Sequence, residues 1–553
     1  VPIVGVMLGP GSHTGELRPL TILAEGPFTL GRDGPMTTTL RVPVERVSGG
    51  PRGARFDVVV RGPHGKPLDL LLGEDNDPWM LMDECPPRDL GELLANRRFL
   101  AQHTYAVAAS TLAAFESTLG RRMGWARGRR LKIHAYDTVP YADSGYDREE
   151  GVIRFGHRRD GRERLSVPLA LYRDLVSHEV THAILAGYRT RWSDQFASLD
   201  QFALHEAIAD LVAMLSVFSS ADRVEQLLDP LGSGVTDLAG LDEQILLSGL
   251  FSFGDGLFSH GPARQSMRTP VPGDWRTLPD PHRRGEPIVQ VILNVVARLW
   301  KVRLDQPGGR SSLYQVAKSG AKVGEQVLAM LIRGLGYMAP VDVTWTDLLR
   351  GILSADLVLV PQDRYRYRQV VRDAFAEVGV TTDPDELLSG TGAMNSLRYP
   401  VRLSALGTDP EEIVRFIWEN GDLLRETAMD ERHSITVDRV RPSIRLSPDG
   451  FVVSEIGASF VQEFTIGRTE MRRLGLTGPG PVTVRGGGLL RFDEGGHLCY
   501  AALKPVYDAR RQQDIREAKS RDAAMLAEIT AAAGSRAGGG AEKLTFHRQG
   551  RGR

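Results

Sequence analysis

Residues 202–215, Phe-Ala-Leu-His-Glu-Ala-Ile-Ala-Asp-Leu-Val-Ala-Met-Leu, are apolar nearly all round at helical spacing, interrupted only by His205, Glu206 and Asp210. A helix with no polar face is buried, and a carboxylate carried into such a place is expensive unless it coordinates a metal or is paired. The fold must therefore bring a metal or a cationic group against this helix. Glu206 and Asp210 lie four apart and share one face. A matching pair stands upstream in His178-Glu-Val-Thr-His182. Two histidines four apart on a helix reach one ion together, while Glu179, about 100° further round the axis, is placed to act as a base beside it. Catalytic zinc takes three protein ligands and keeps a fourth position open. His178, His182 and Glu206 supply the three, and Asp210 is positioned to accept the free N–H of a ligating histidine and fix its tautomer.

A five-residue His-Glu-x-x-His match is only suggestive by itself, so its surroundings matter. Leu171-Tyr172, Leu175-Val176 and Ala183-Ile184-Leu185 give helical apolar spacing around it. With the following helix, HEVTHAIL and HEAIADLVAML resemble the paired zinc helices of the thermolysin-like gluzincin metalloendopeptidases. The resemblance extends over roughly residues 95–380. Residues 135–147 and 151–157 resemble the hairpin whose edge strand binds substrate in that family. Thr344-Trp-Thr-Asp-Leu-Leu349, Ala355-Asp356 and Val370 to Gly379 resemble its C-terminal helical lobe.

What the resemblance implies is a catalytic core with a β-rich upper lobe and a helical lower lobe, hydrolysing peptide bonds with Glu179 as general base and Zn2+ as cofactor. His282, in Asp280-Pro-His-Arg-Arg-Gly-Glu-Pro287, is similar to the family's transition-state histidine, which precedes a buried helix; Pro287 suits the first turn of such a helix. The run from Ala263 to Pro270 resembles a stretch whose arginine binds the substrate carbonyl, which points to Arg264. Registering on Ser-Met instead places Gln265 there, Arg268 is a third possibility, and solvated loop arginines remain an equal reading. Asp143 and Ser144 occupy the substrate-binding edge where the family has an asparagine, so a side chain that both donates and accepts gives way to a carboxylate that only accepts when ionised. No cluster of carboxylates has the spacing of a calcium site.

At 553 residues the chain exceeds one ordinary core. The expectation is an α+β multidomain protein: a small β-rich N-terminal domain over 1–94, a catalytic domain over 95–380, an α+β domain over 385–535 and a disordered basic tail over 536–553. Within these, Phe99 to Leu119 reads as a helix. Strands are expected at 434–438, 460–466, 482–484 and 489–492, with Gly486-Gly-Gly488 as a turn before the last. The net charge of −1 offers no footprint for nucleic acid or a membrane surface, which leaves a peptide or protein as the expected partner; oligomeric state is not legible. Two cysteines, Cys85 and Cys499, make no disulfide framework and are expected as free thiols. With no signal-peptide pattern in residues 1–30, they suggest a cytoplasmic location. Two other classes stay open beside the endopeptidase: a zinc hydrolase of narrow specificity, such as an aminopeptidase or amidohydrolase, and a noncatalytic zinc-containing binding protein.

Overall fold

The computed structural model describes residues 17–31, 34–62, 64–70, 83, 85–136, 144–159, 166–192, 197–228, 235–237, 273–278, 280–304, 310–383, 403–406, 409–420, 429–430, 432–447, 450–517 and 520. Arg264, Asp143 and the tail over 536–553 lie outside them.

The protein is α+β. Strand β1 (Leu17–Leu23) pairs antiparallel with β2 (Thr37–Pro43). A second sheet has the order β3–β4–β6–β5, where β3 is Phe56–Val60, β4 Leu131–Tyr136, β5 Gly145–Asp147 and β6 Val152–Arg154. Its β3–β4 and β4–β6 pairs are parallel, and β5 returns antiparallel on β6, so the expected hairpin is present with β5 on the sheet edge. The expected boundary at residue 94 does not divide the packing. Strand β3 pairs directly with β4, and one apolar core runs from Leu20 through Phe56, Ile133 and Ile184 to Val380. Burying the apolar faces of the N-terminal strands against the long helix that follows is what merges the two segments.

Helix α1 (Leu90–Ala95) leads into that helix, α2 (Arg97–Leu119), which begins two residues ahead of the start anticipated at Phe99. The Asn96 side chain caps it by accepting from the Phe99 N–H at 2.9 Å. It stops at Gly120, whose left-handed φ of 64° closes the helix, and a Cβ there would sit 1.8 Å from the Ile444 carbonyl oxygen. Glycine is thus required twice, for the turn and for the close approach.

The helical lobe contains α3 (Arg173–Tyr188), α4 (Leu199–Phe218), α5 (Ala221–Leu228), α6 (Pro281–Leu304), α7 (Leu313–Leu335), α8 (Trp345–Leu359) and α9 (Tyr367–Ala376). Every side chain of α3 is buried, and α4 packs against both α3 and α6. A Ser198–Gln201 capping box starts α4. Among the described residues α4 alone is long and apolar enough to cross a membrane, yet 83% of its apolar window is buried inside the protein: it is a core helix. At the α4–α6 crossing, a Cβ on Gly285 would lie 2.6 Å from the Ala203 carbonyl oxygen, so the two backbones meet where no side chain fits. Helix α6 begins at Pro281, earlier than anticipated, which leaves Pro287 inside the helix rather than in its first turn. Asp280 makes the early start possible by accepting from the His282 backbone N–H at 2.9 Å.

The C-terminal region forms an antiparallel meander, β7 (Thr436–Leu446), β8 (Val452–Ile466), β9 (Val482–Phe492) and β10 (Leu498–Lys504). Gly486 to Gly488 are not a turn. They lie inside β9 with neighbours on both sides, and a Cβ on Gly487 would meet the Phe460 carbonyl oxygen at 2.4 Å. Close backbone approach, not reversal, is their purpose. The meander has its own core around Phe416, Phe460 and Phe492 and docks on the helical lobe through Tyr337, Ala355, Leu489 and Tyr500. Buried ion pairs flank this seam: Lys504 with Asp347 at 2.7 Å, and Arg485 with Asp342 at 2.6 Å. Cys85 and Cys499 are both free thiols.

Candidate metal centre

Helix α3 places His178 and His182 one turn apart, and α4 brings Glu206 against them. The two Nε2 atoms are 2.9 Å apart, and Glu206 Oε2 lies 3.4 Å from His178 Nε2 and 3.3 Å from His182 Nε2. Ligands about 2.0–2.1 Å from a tetrahedral zinc are separated from one another by about 3.3–3.4 Å. The triangle is therefore close to one face of such a tetrahedron, compressed along its His–His edge. All three residues are buried.

The far side of each ring has a partner that bears on its tautomer. Asp210 Oδ1 stands 2.8 Å from His178 Nδ1, so Nδ1 carries the proton and Nε2 presents a lone pair. His182 Nδ1 lies 2.7 Å from His205 Nδ1. The two ring planes differ by only 5° and their centroids are 4.8 Å apart, far more than the nitrogens, so the rings meet edge to edge as an N–H···N pair requires. With His182 as the donor, its Nε2 too presents a lone pair. Two lone pairs facing each other at 2.9 Å repel unless a cation lies between them, and the Glu206 carboxylate adds a third donor to the same point.

The electrostatics agree with that reading. Burial alone would raise the Glu206 carboxyl, but His282, His182 and His178 together hold it well below the usual carboxylate range, so it is ionised. Burial lowers the His182 imidazole against the pull of Glu206, which favours the neutral ring a metal needs. This set, two imidazoles and one carboxylate, could hold a metal ion.

Glu179 is 5% exposed, and its Oε2 has no hydrogen-bond partner among the described residues. A buried carboxylate oxygen without a donor is costly and calls for a partner. His282, in the first turn of α6, brings Nδ1 to 3.1 Å from Glu206 Oε2 while its side chain stays 37% exposed. The Gly285 crossing makes that approach possible. Ser144 precedes edge strand β5, where its Oγ lies 3.4 Å from the Gly156 N–H, and β5 packs against α3.

The structure thus brings His178, Glu179, His182, Glu206, Asp210 and His282 into one place. His205 was visible in the sequence only as a polar interruption in an apolar helix. The available signal was its position: next to Glu206 on α4, it faces the same neighbouring helix. No protein-family model matches this chain, and no curated protein matches it either.

Proposed function

We propose that the protein is a zinc-dependent metallopeptidase with a thermolysin-like core, in which His178, His182 and Glu206 hold one zinc ion and Glu179 is the general base of peptide-bond hydrolysis. The observation that carries this reading is the pair of imidazole Nε2 atoms 2.9 Å apart with Glu206 Oε2 3.3–3.4 Å from each, on the helix that also carries the unpartnered oxygen of Glu179. Zinc, when bound, makes water a nucleophile near neutral pH and polarises a carbonyl oxygen. Glu179 Oε2 takes the proton of the attacking water and returns it to the leaving nitrogen. A purely structural metal site has no use for such a group. His282, partly exposed at the mouth of the site, donates to the oxygen that gains negative charge. Edge strand β5, beside α3, has no strand on its outer side among the described residues and offers that edge to an extended peptide.

Digestion of an unbiased peptide library, with zinc content measured in each variant, tests this. Wild type is expected to cleave. Glu179→Gln is expected to keep zinc and fold while losing at least about 10²–10⁴-fold in turnover. His282→Ala is expected to lose about 10²–10³-fold with zinc retained. Full activity in Glu179→Gln refutes the mechanism, and cleavage restricted to terminal residues or to non-peptide amides favours the narrow hydrolase instead. A zinc-loaded wild type that cleaves nothing returns the protein to the binding class.

A further inference from the structure

At the seam between the helical lobe and the meander, an arginine cluster surrounds a small cavity of about 20 Å³ lined by Arg121, Arg333, Arg441, Arg445 and Arg491 with Tyr188 and Tyr337. Glu455 answers two of these: it pairs with Arg445 and, at 2.7 Å, with Arg491, and it also accepts from the Tyr337 hydroxyl. Arg121, Arg333 and Arg441 have no carboxylate oxygen within 4.0 Å among the described residues. Asp356, the acid nearest in effect to Arg333, is itself bridged to Arg368 at 2.8 Å. Arg189 adds a further cation against Tyr188, with Asp438 as its acidic influence.

Arg121, Arg333 and Arg441 are partly buried, and cations held there without counter-charge are costly; three features show strain on the cluster. The Nε atoms of Arg333 and Arg445 are buried without hydrogen-bond partners, and the Arg445 side chain is only 4% exposed. Burial, reinforced by Arg121, Arg439 and Arg189, pushes the Arg441 guanidinium down to about 9. Burial would raise the Tyr188 phenol, yet Arg189, Arg121, Arg441 and Arg491 outweigh it and bring the group down to about 8. The cavity is a positive well.

We propose that this cavity binds one small inorganic anion of chloride size, held between Arg121, Arg333 and Arg441 and the Arg445–Arg491 pair. Size decides the class. A volume of about 20 Å³ gives room for roughly one small particle, which suits a monatomic halide better than tetrahedral sulfate or phosphate. The bound anion joins the end of α3, where Arg441 also donates to the Gly187 carbonyl at 3.3 Å, to strands β7 and β9 of the meander. It therefore locks the meander onto the helix that carries His178 and His182, and it stands independently of what that site does.

Crystals of the full chain grown in sodium bromide test the proposal without any mutation: an anomalous bromide peak is expected in this cavity, and a cavity without one overturns it. In solution, thermal unfolding is compared in sodium chloride, sodium gluconate and sodium sulfate at equal ionic strength. Chloride is expected to raise the melting temperature about 1–3 °C above the bulky gluconate, whereas sulfate, which stabilises proteins generally by exclusion from their surface, is expected to raise wild type and Arg441→Met alike. Arg441→Met is expected to lose that chloride response while folding normally in gluconate, since it also relieves repulsion. Equal melting temperatures in chloride and gluconate, a sulfate gain that is lost in Arg441→Met, or an undiminished chloride response in Arg441→Met each overturn the inference.

Discussion

Asp210→Ala is expected to weaken zinc binding by about 10–100-fold without abolishing it. Asp210 Oδ1 lies 2.8 Å from His178 Nδ1, with the two side chains 2% and 3% exposed, so water cannot easily replace the lost acceptor. A hydrogen bond to a charged group is worth about 1.5–3 kcal/mol net, which converts to about 10–150-fold in affinity. Part of that loss falls on folding rather than on zinc, because the same contact holds the His178 ring in the metal-free protein. The affinity change is therefore placed in the lower part of the range. Asp210→Asn keeps an acceptor oxygen but not the charge, and is expected to fall between wild type and Asp210→Ala. The assay is competition for zinc against a chelator of known affinity at fixed neutral pH, alongside thermal unfolding of the metal-free proteins. Unchanged affinity in Asp210→Ala would refute the tautomer reasoning, because His178 would then present its lone pair without Asp210.

Two further outcomes follow from the packing. Gly285→Ala is expected to cost about 1–3 kcal/mol by forcing a methyl to within 2.6 Å of the Ala203 carbonyl, and to slow turnover by moving His282 off Glu206; unfolding and activity assays check both, and a neutral substitution would deny the close crossing. Asp347 gives a pH signature: burial would raise it, but Lys504, Arg350 and Thr344 hold its carboxyl below the usual range. Its stabilisation is therefore complete above the unfolded value of about 3.9 and lost as pH falls through the lower folded value. Lys504→Met is expected to cost about 3 kcal/mol at neutral pH and to flatten the acid limb of melting temperature against pH; an acid limb identical to wild type contradicts this.

The candidate site was legible where local periodicity alone places the side chains. His178 and His182 share a face of α3, and Glu206 and Asp210 share a face of α4, because four residues make nearly one turn. His205 escaped because its partner lies on another helix, and helical period says nothing about what faces a residue across a gap. The same limit hid the pairing of β3 with β4: parallel strands separated by a long helix carry no turn signal. Gly486 to Gly488 misled for a related reason, since glycines required by a neighbouring strand look in sequence like glycines required by a turn. Pro287 misplaced the start of α6 because a proline inside a helix and one in its first turn differ only by what caps the helix upstream, here Asp280.

The central claim, that His178, His182 and Glu206 form a zinc site, is tested most directly by the metal content of the purified chain. Elemental analysis of wild type after zinc loading and gel filtration is expected to give about one zinc per chain, and His178→Ala combined with His182→Ala is expected to give none. A full complement of zinc in the double variant, or a wild type that retains no zinc, would contradict the account.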